Sequence, residues 1–244
     1  MQRYFARIEL GQAFLSAEDQ HHLVDVMRTS PHEKIEIVDQ GDVYSAEVSD
    51  LNPIKIIVGP LLSKASELPV RLELAFALLK HGNDEEVLDK GTELGVASFS
   101  PFFSSRTIIH LASEEDKMKR QERFQKIVKA ASEQSKRTRI PVVQPIRDYE
   151  DILSETAELK LFAYENESDD VKTLPSALKS LQTGQRCLIV IGPEGGFSPE
   201  EALEAKEKGF HYVSLGRRIL RAETAAIYAA SVFAYALESE RGSQ

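Results

Sequence analysis

Apolar and polar residues alternate in short runs along the first sixty residues, which is the pattern of strands with one buried face. Four strands are predicted, at residues 3–9, 34–38, 43–48 and 55–58. The polar sequence Asp39-Gln40-Gly41-Asp42 separates the middle two strands, as a tight turn does. One helix is predicted at residues 18–27, after Ser16. The pattern therefore indicates a small β-rich domain at the start of the chain.

The pattern changes near residue 69, where longer apolar runs begin to alternate with helical stretches. These runs predict buried strands at residues 72–79, 96–99, 159–164, 187–191 and 212–215. Buried strands separated by helices are typical of a mainly parallel sheet with flanking helices. Residues 63–69, SKASELP, have the composition of a linker. We predict an α/β protein with two domains, at residues 1–68 and 69–244.

The composition is that of a globular protein, with 244 residues of which 42% are hydrophobic. The single cysteine, Cys187, excludes an internal disulfide, and without a Cys/His cluster we predict no metal. The first ten residues lack a signal-peptide pattern, and the longest apolar stretch, residues 225–237, is too short to span a bilayer comfortably. These features favour a cytoplasmic protein with no membrane partner.

The net charge of -9 argues against a surface that is basic throughout, as wholesale nucleic-acid binding favours. Residues 117–139 are the exception, because they hold nine Lys and Arg residues against Glu122 and Glu133. Apolar residues at helical spacing, from Phe124 to Ala131, predict that this basic stripe faces solvent. The stripe alone does not distinguish an RNA-docking surface from a solvated helix face.

Residues 187–201, CLIVIGPEGGFSPEE, read as a buried strand, a glycine-rich turn and the start of a helix. Ser198 and Glu201 form a capping-box pattern around Pro199. The glycines remove β-carbons where the backbone turns sharply or lies against a ligand. This turn alone is equally consistent with a structural connection that binds nothing.

A second glycine turn follows the next predicted strand, in residues 213–226, VSLGRRILRAETAA. Two such turns after neighbouring strands suggest one site. Neither turn matches the dinucleotide-binding GxGxxG pattern or the GxxxxGK[ST] phosphate loop, and HExxH and GxSxG are absent from the sequence. Rossmann-type enzymes, P-loop NTPases and the commonest hydrolases therefore lose support.

Four segments together carry a family resemblance: GPEGGFSPEE, SLGRRILRAETAA, KGTELGV followed by PFFSSRT, and ASEQSKR with IP after it. They resemble the ribosomal RNA small subunit methyltransferase E family over nearly the whole chain. The resemblance implies methylation of a uridine at ring nitrogen 3 in small-subunit (16S) ribosomal RNA, with S-adenosylmethionine as cofactor. It also implies an N-terminal PUA-like domain, a C-terminal trefoil-knotted (SPOUT) domain and a homodimer.

The resemblance also places the site residues. The cofactor pocket falls on Gly192, Pro193, Glu194, Gly195, Gly196, Leu215, Gly216, Leu220, Arg221, Thr224 and Ala225. Leu78, Leu79 and Glu165 are candidates to extend it. Arg221 is the candidate to stabilise negative charge on the base, and Glu223 or Glu194 is the candidate base. For Glu223 a cap or an ion pair at the last helix is an equally good interpretation.

RNA contacts are expected from basic residues of both predicted domains: Arg3, Arg7, Arg28, Arg106, Lys126, Lys129, Lys136 and Arg137. The alanine-rich C-terminal helix at residues 224–237 supports the expectation of a homodimer. Two alternatives stay open. One is a ribose 2′-O-methyltransferase of the same knotted superfamily, and the other is a non-catalytic RNA-binding module in assembly.

Overall fold

A computed structural model describes residues 1–63, 67–164 and 171–239. The chain divides into two units. The first contains Met1–Glu67 and Ser132–Ile140, and the second contains Leu68–Ala131 and Pro141–Gln244. The sequence-based division near residue 69 did not place residues 132–140 in the N-terminal part.

The first unit is built on a six-stranded sheet with the order β1-β4-β5-β6-β3-β2. Its strands are β1 Arg3–Phe5, β2 Arg7–Glu9, β3 Gln12–Phe14, β4 Lys34–Asp39, β5 Asp42–Leu51 and β6 Ile54–Ser63. The β1–β4 pair is parallel, and the other pairs are antiparallel. Gln40 and Gly41 connect β4 to β5 with φ values of 49° and 93°, as a two-residue hairpin requires.

The core of this unit comes from the alternating residues of the strands. Tyr4, Ile35, Ile37 and Val48 are at most 1% exposed, and Leu23 packs among them. The helical segment that carries Leu23 consists of α1 Ala17–His21 and a π-helical turn, His22–Val26. Its existence was predicted, whereas strand β3 was not, because three residues are too few to show an alternating pattern.

Residues 132–140 join the first unit through buried charged side chains. Arg137, which is 7% exposed, pairs with Glu67, and the other oxygen of Glu67 accepts hydrogen bonds from the amides of Thr138 and Arg139 at 3.0 and 3.1 Å. Arg3, 9% exposed, pairs with Glu36 and donates to the carbonyls of residues 136 and 137. These contacts fix the segment against β1 and β4.

The second unit is built on a parallel sheet with the order β10-β8-β7-β13-β11-β14-β12, and β9 pairs with β8. Its strands are β7 Arg71–Ala77, β8 Ser98–Phe103, β9 Val142–Val143, β10 Arg147–Asp148, β11 Leu159–Ala163, β12 Lys172–Thr173, β13 Arg186–Ile191 and β14 His211–Ser214. The five buried strands predicted after residue 69 correspond to β7, β8, β11, β13 and β14. The short strands at the edges were not predicted.

Helices connect these strands. They are α2 Asn83–Glu93, α3 Glu114–Gln134, α4 Tyr149–Leu153, α5 Leu174–Leu178, α6 Pro199–Glu207 and α7 Ala222–Ser239. An aromatic cluster around Phe162 and Phe197, whose ring centroids are 4.2 Å apart, fills one side of the sheet. Helix α7 packs against α2, α5 and strand β7. The N-terminal β-rich sheet and the C-terminal parallel sheet with helices confirm the predicted fold class, while the knot stays a prediction.

Of the helices within the described ranges, none combines the length and the apolarity that crossing a membrane requires.

Candidate functional site

A cavity of about 720 Å³ lies where β7, β11, β13 and β14 end. Carboxyl ends of neighbouring parallel strands meet at one edge of a sheet, so residues far apart in sequence converge there. The segments after β7 and β11 contribute Lys80, His81, Asn83 and Tyr164, and Ala163 is the last residue of β11 itself. The segment after β13 contributes Gly192, Pro193, Glu194, Gly195, Gly196 and Phe197, and Ile191 is the last residue of β13 itself. The segment after β14 contributes Leu215, Ile219, Leu220, Arg221, Ala222, Glu223 and Ala225, and Val213 lies in the strand itself.

The turn after β13 depends on two of its glycines for different reasons. A β-carbon on Gly192 would lie 2.9 Å from the ring of Phe197, which is buried in the aromatic cluster. Gly196 has φ +66°, a conformation that L side chains rarely adopt, and a β-carbon there would meet nothing within 4 Å. The turn therefore packs closely against the Phe197 ring at one glycine and leaves open space at the other.

The predicted capping box is present at the start of α6. The Ser198 hydroxyl accepts from the amide of Glu201 at 3.2 Å, and the Glu201 carboxylate accepts from the amide of Ser198 at 2.8 Å. The second oxygen of Glu201 accepts from the amide of Ser105 at 2.8 Å. The box thus also ties the segment after β8 to the glycine turn.

Two side chains at the turn are engaged with backbone groups. Glu194 accepts a hydrogen bond from the amide of Lys80 at 3.0 Å. Arg106 donates through Nη1 to the carbonyls of Gly195 and Phe197, at 3.0 and 3.3 Å. Glu194 therefore joins two walls of the cavity, and Arg106, predicted to contact RNA, supports the turn from outside.

The second turn leads from β14 to α7. The Ser214 hydroxyl accepts from the amide of Gly216 at 3.1 Å, and Gly216 has φ +118°. Gly216 and Thr224 were predicted in the cofactor pocket, but they are not among the residues that line the cavity. The nine other predicted cofactor residues do line it.

Glu223 lies in the first turn of α7 and is 8% exposed. Its Oε2 atom is buried and has no hydrogen-bond partner among the described residues. A buried acceptor without a donor costs about 1–3 kcal/mol. Arg221, two residues earlier and just before α7 begins, is exposed at the cavity wall. The two predicted catalytic residues therefore line one cavity.

Sequence reasoning missed Lys80, His81, Asn83 and Tyr164 as cavity residues. Leu78 and Leu79, which were proposed to extend the pocket, are 1% exposed and belong to the core instead. The available signal was the position of the first polar residues after each apolar run, because those residues follow the strand ends. Glu165 lies outside the described residues.

The residues predicted to contact RNA have different surroundings. Arg3 and Arg137 are buried in ion pairs of the first unit, and Lys136 is bonded to Glu36 and to the carbonyl of Met1. Arg7 forms an exposed pair with Glu9, while Arg28 and Lys126 are exposed and Lys129 is half-buried. Because Arg3 and Arg137 are buried in these ion pairs, we interpret them as structural residues and not as RNA contacts.

Within the described ranges there is no group of three or more His, Cys, Asp or Glu side chains that could hold a metal ion. Burial raises the pKa of the Cys187 thiol well above its ordinary value, so this side chain acts as a small apolar residue of β13.

Comparison with known families assigns both parts of the chain. Residues 66–234 match the RNA methyltransferase domain family, and residues 15–61 match the RNA methyltransferase PUA domain family. The chain is 35% identical to ribosomal RNA small subunit methyltransferase E of Bacillus subtilis (strain 168) over 257 aligned positions, which cover 100% of both proteins. It is 33% identical to the protein of that name from Synechocystis, over 92% of this chain and 73% of the relative.

Solved structures agree with these matches. A ribosomal RNA small subunit methyltransferase E from Neisseria gonorrhoeae, bound to S-adenosyl methionine, has a TM-score of 0.83 at 30% identity. The comparison covers 96% of this chain and 97% of that one. A protein from Legionella pneumophila, solved with the cofactor SAM, has a TM-score of 0.86 at 29% identity and covers 96% of both chains.

The chain therefore belongs to the RNA methyltransferase domain family and, within it, to the ribosomal RNA small subunit methyltransferase E family. The resemblance drawn from the four sequence segments is confirmed.

Proposed function

We propose that this chain transfers the methyl group of S-adenosylmethionine to ring nitrogen 3 of a uridine in small-subunit (16S) ribosomal RNA. The observation that carries the proposal is the cavity formed by the two glycine turns at the carboxyl ends of β13 and β14. Membership of the methyltransferase E family supports the reaction type and the RNA class. The solved relatives that hold S-adenosylmethionine support the cofactor.

The residues present fit this cofactor. The cavity volume of about 720 Å³ is in the range of pockets for molecules of that size. Ile191, Leu215 and Leu220 supply apolar surface for an adenine ring, and the turns around Gly195 and Gly196 supply backbone groups. The buried acceptor on Glu223 has no donor within the described residues, and we propose that the N–H of the acceptor base provides one.

When bound, the cofactor supplies a methyl group on a positively charged sulfur. The chain must then orient the acceptor and exclude water, and the walls on Phe197 and Leu220 serve both purposes. Uridine nitrogen 3 carries a proton on its pairing edge, so the base has to leave its pair. We assign acceptance of that proton to the Glu223 carboxylate, and stabilisation of the charge that develops on the base to Arg221. Glu194, the other candidate base, instead holds the amide of Lys80.

The cytoplasmic location, the trefoil knot and the homodimer are further parts of this proposal. Ala226, Ala229 and Ala230 of α7 are fully buried within the second unit, so they are not available to a partner helix. Tyr228 and Tyr235, which are 40% and 76% exposed, offer aromatic surface on the same helix. The chain has a mass of 27.3 kDa, and light scattering at micromolar concentration should give twice that value.

The test uses small subunits from cells that lack the gene, incubated with the protein and labelled cofactor. We expect label in one nucleotide, and mass spectrometry of the isolated nucleoside should place the methyl group on the uracil ring. Label on a ribose would favour the 2′-O-methyltransferase alternative, and label only in transfer RNA would contradict the proposed substrate. Calorimetry that detects no cofactor binding would favour the non-catalytic RNA-binding module.

A further inference from the structure

A second cavity, of about 1070 Å³, lies in the second unit beside the one just described. Helix α3 lines it with one face, on which Asp116, Lys119, Arg120, Arg123 and Phe124 recur at helical spacing. Lys126 and Lys129, which belong to the predicted basic stripe, are not among its lining residues. Only part of the basic stripe therefore lines this cavity.

The two cavities are adjacent. Lys80 and His81, which follow β7, line both of them. A ligand group in the first cavity and another in the second can therefore belong to one molecule. A nucleotide whose base enters the first cavity necessarily brings its neighbouring phosphates to the entrance of that cavity.

The second cavity carries more basic than acidic side chains. Four of its lining residues are Lys or Arg and two are His, against Glu85 and Asp116. Arg123 pairs with Glu85, and Lys119 pairs with Glu115, but all four side chains are at least 36% exposed. Exposed pairs of this kind contribute about 0–1 kcal/mol, so phosphates can replace the carboxylates at small cost.

The wall between the cavities is held by a buried carboxylate. Asp84, which is fully buried, accepts from the amide of Leu79 at 2.6 Å and pairs with Arg120. The Nε atom of Arg120 is buried and has no partner among the described residues. Asp84 thus fixes the segment that carries Lys80 relative to the basic face of α3.

We propose that the second cavity binds the ribose-phosphate backbone of the RNA strand next to the target nucleotide. This inference rests on the proposed function, because the acceptor base is what links the two cavities. The contact residues are Lys80, Lys119 and Arg123, while Arg120, paired with the buried Asp84, holds the wall beside them. They replace Arg3 and Arg137, which are buried in ion pairs of the first unit.

The test removes two exposed charges from this cavity, with Lys119→Gln and Arg123→Gln in one chain. The matched control is Lys172→Gln with Lys179→Gln, which removes two exposed charges from another cavity of the same unit. RNA affinity is measured with a transcript of the small-subunit RNA over a series of salt concentrations. Each lost phosphate contact lowers the salt slope by roughly 0.7–0.9, so the double variant should bind about 10- to 50-fold more weakly near 0.1 M salt.

Cofactor affinity is measured on the same variants by calorimetry and should be unchanged in both. Equal RNA affinity and salt slope in the wild type, the cavity variant and the control would overturn the inference, whatever the enzyme methylates. Normal binding of the transcript but weak methylation of assembled subunits would also overturn it, since the cavity would then contact a ribosomal protein. Failure of the wild type to methylate RNA would contradict the proposed function, and the salt slopes would still decide the binding site.

Discussion

In the first unit the carboxylates of Glu36 and Glu67 are held by arginines and backbone amides, whereas in the second unit one oxygen of Glu223 has no donor. All three side chains are largely buried. The fold itself supplies the donors for Glu36 and Glu67, whereas it supplies none for the buried oxygen of Glu223. The presence of partners, not burial or charge alone, therefore distinguishes these two paired acids from Glu223, the proposed base.

The largest expected effect is on the unpaired carboxylate. Glu223→Gln keeps the shape of the side chain but removes its ability to accept a proton. We expect the single-turnover rate of methyl transfer at saturating RNA and cofactor to fall by about 10²–10⁴-fold. The cofactor dissociation constant should stay within a few-fold of the wild type. A large loss of cofactor binding would instead make Glu223 a binding residue, contrary to the assigned base.

The next largest effect, on stability, is expected at Glu67, the carboxylate that pairs with Arg137. Glu67→Ala removes the carboxylate that pairs with the buried Arg137 and accepts from the amides of Thr138 and Arg139. We expect the first unit to lose about 3 kcal/mol of stability, measured by hydrogen exchange of amides in β4 and β5. Glu85→Ala, which removes the partner of an exposed pair, should cost less than about 1 kcal/mol. Equal losses in the two variants would contradict the comparison.

The open space at Gly196 allows a sharper test of the cavity. Gly196→Val strains a φ of +66° and places a branched side chain at the cavity wall. We expect cofactor affinity to fall about 100-fold, which corresponds to roughly 2.7 kcal/mol. Gly184→Val is the matched control, because Gly184 has φ +87°, meets nothing within 4 Å and does not line this cavity. The control should lose a similar amount of thermal stability and should bind the cofactor with normal affinity.

The smallest effect is a pH dependence of the first unit. Burial alone would raise the pKa of Glu36. The hydrogen bonds from Arg3 and Lys136 lower it by more than burial raises it, so the pKa lies below the ordinary 4.5. A carboxyl whose pKa is lowered on folding stabilises the fold above its unfolded pKa, and this is lost as the pH falls through the folded pKa. Glu36→Gln should therefore flatten the loss of first-unit stability between about pH 5 and pH 3. An unchanged pH profile would show that the pair does not stabilise the unit.

The long strands and helices were predictable because their own residues specify them. The apolar runs at β7, β11 and β13 and the helical spacing in α3 are local signals. Strands β9, β10 and β12 have two residues each, and the sheet rather than their sequence defines them. The placement of residues 132–140 was not predictable, because Glu67 lies 70 residues from Arg137 and no local pattern joins them.

The part of the candidate site that the two glycine turns form was predictable from the sequence. The part formed by residues at the ends of β7 and β11 was not. The turns at Gly192 and Gly216 were visible as breaks after buried strands. Lys80 and Tyr164 reach the same cavity only because the sheet places β7 and β11 beside β13. The basic stripe was misleading in part, since charge density along the chain does not reveal which arginines have buried acidic partners.

The packing of residues 132–140 with the N-terminal sheet has a consequence for biosynthesis. A ribosome must release about 140 residues before the first unit has all of its parts, and by then strands β7 and β8 of the second sheet have already emerged. The N-terminal unit therefore cannot finish folding as an independent early domain. A nascent chain with residues 1–67 outside the exit tunnel should be sensitive to protease, and one with residues 1–140 outside it should be protected.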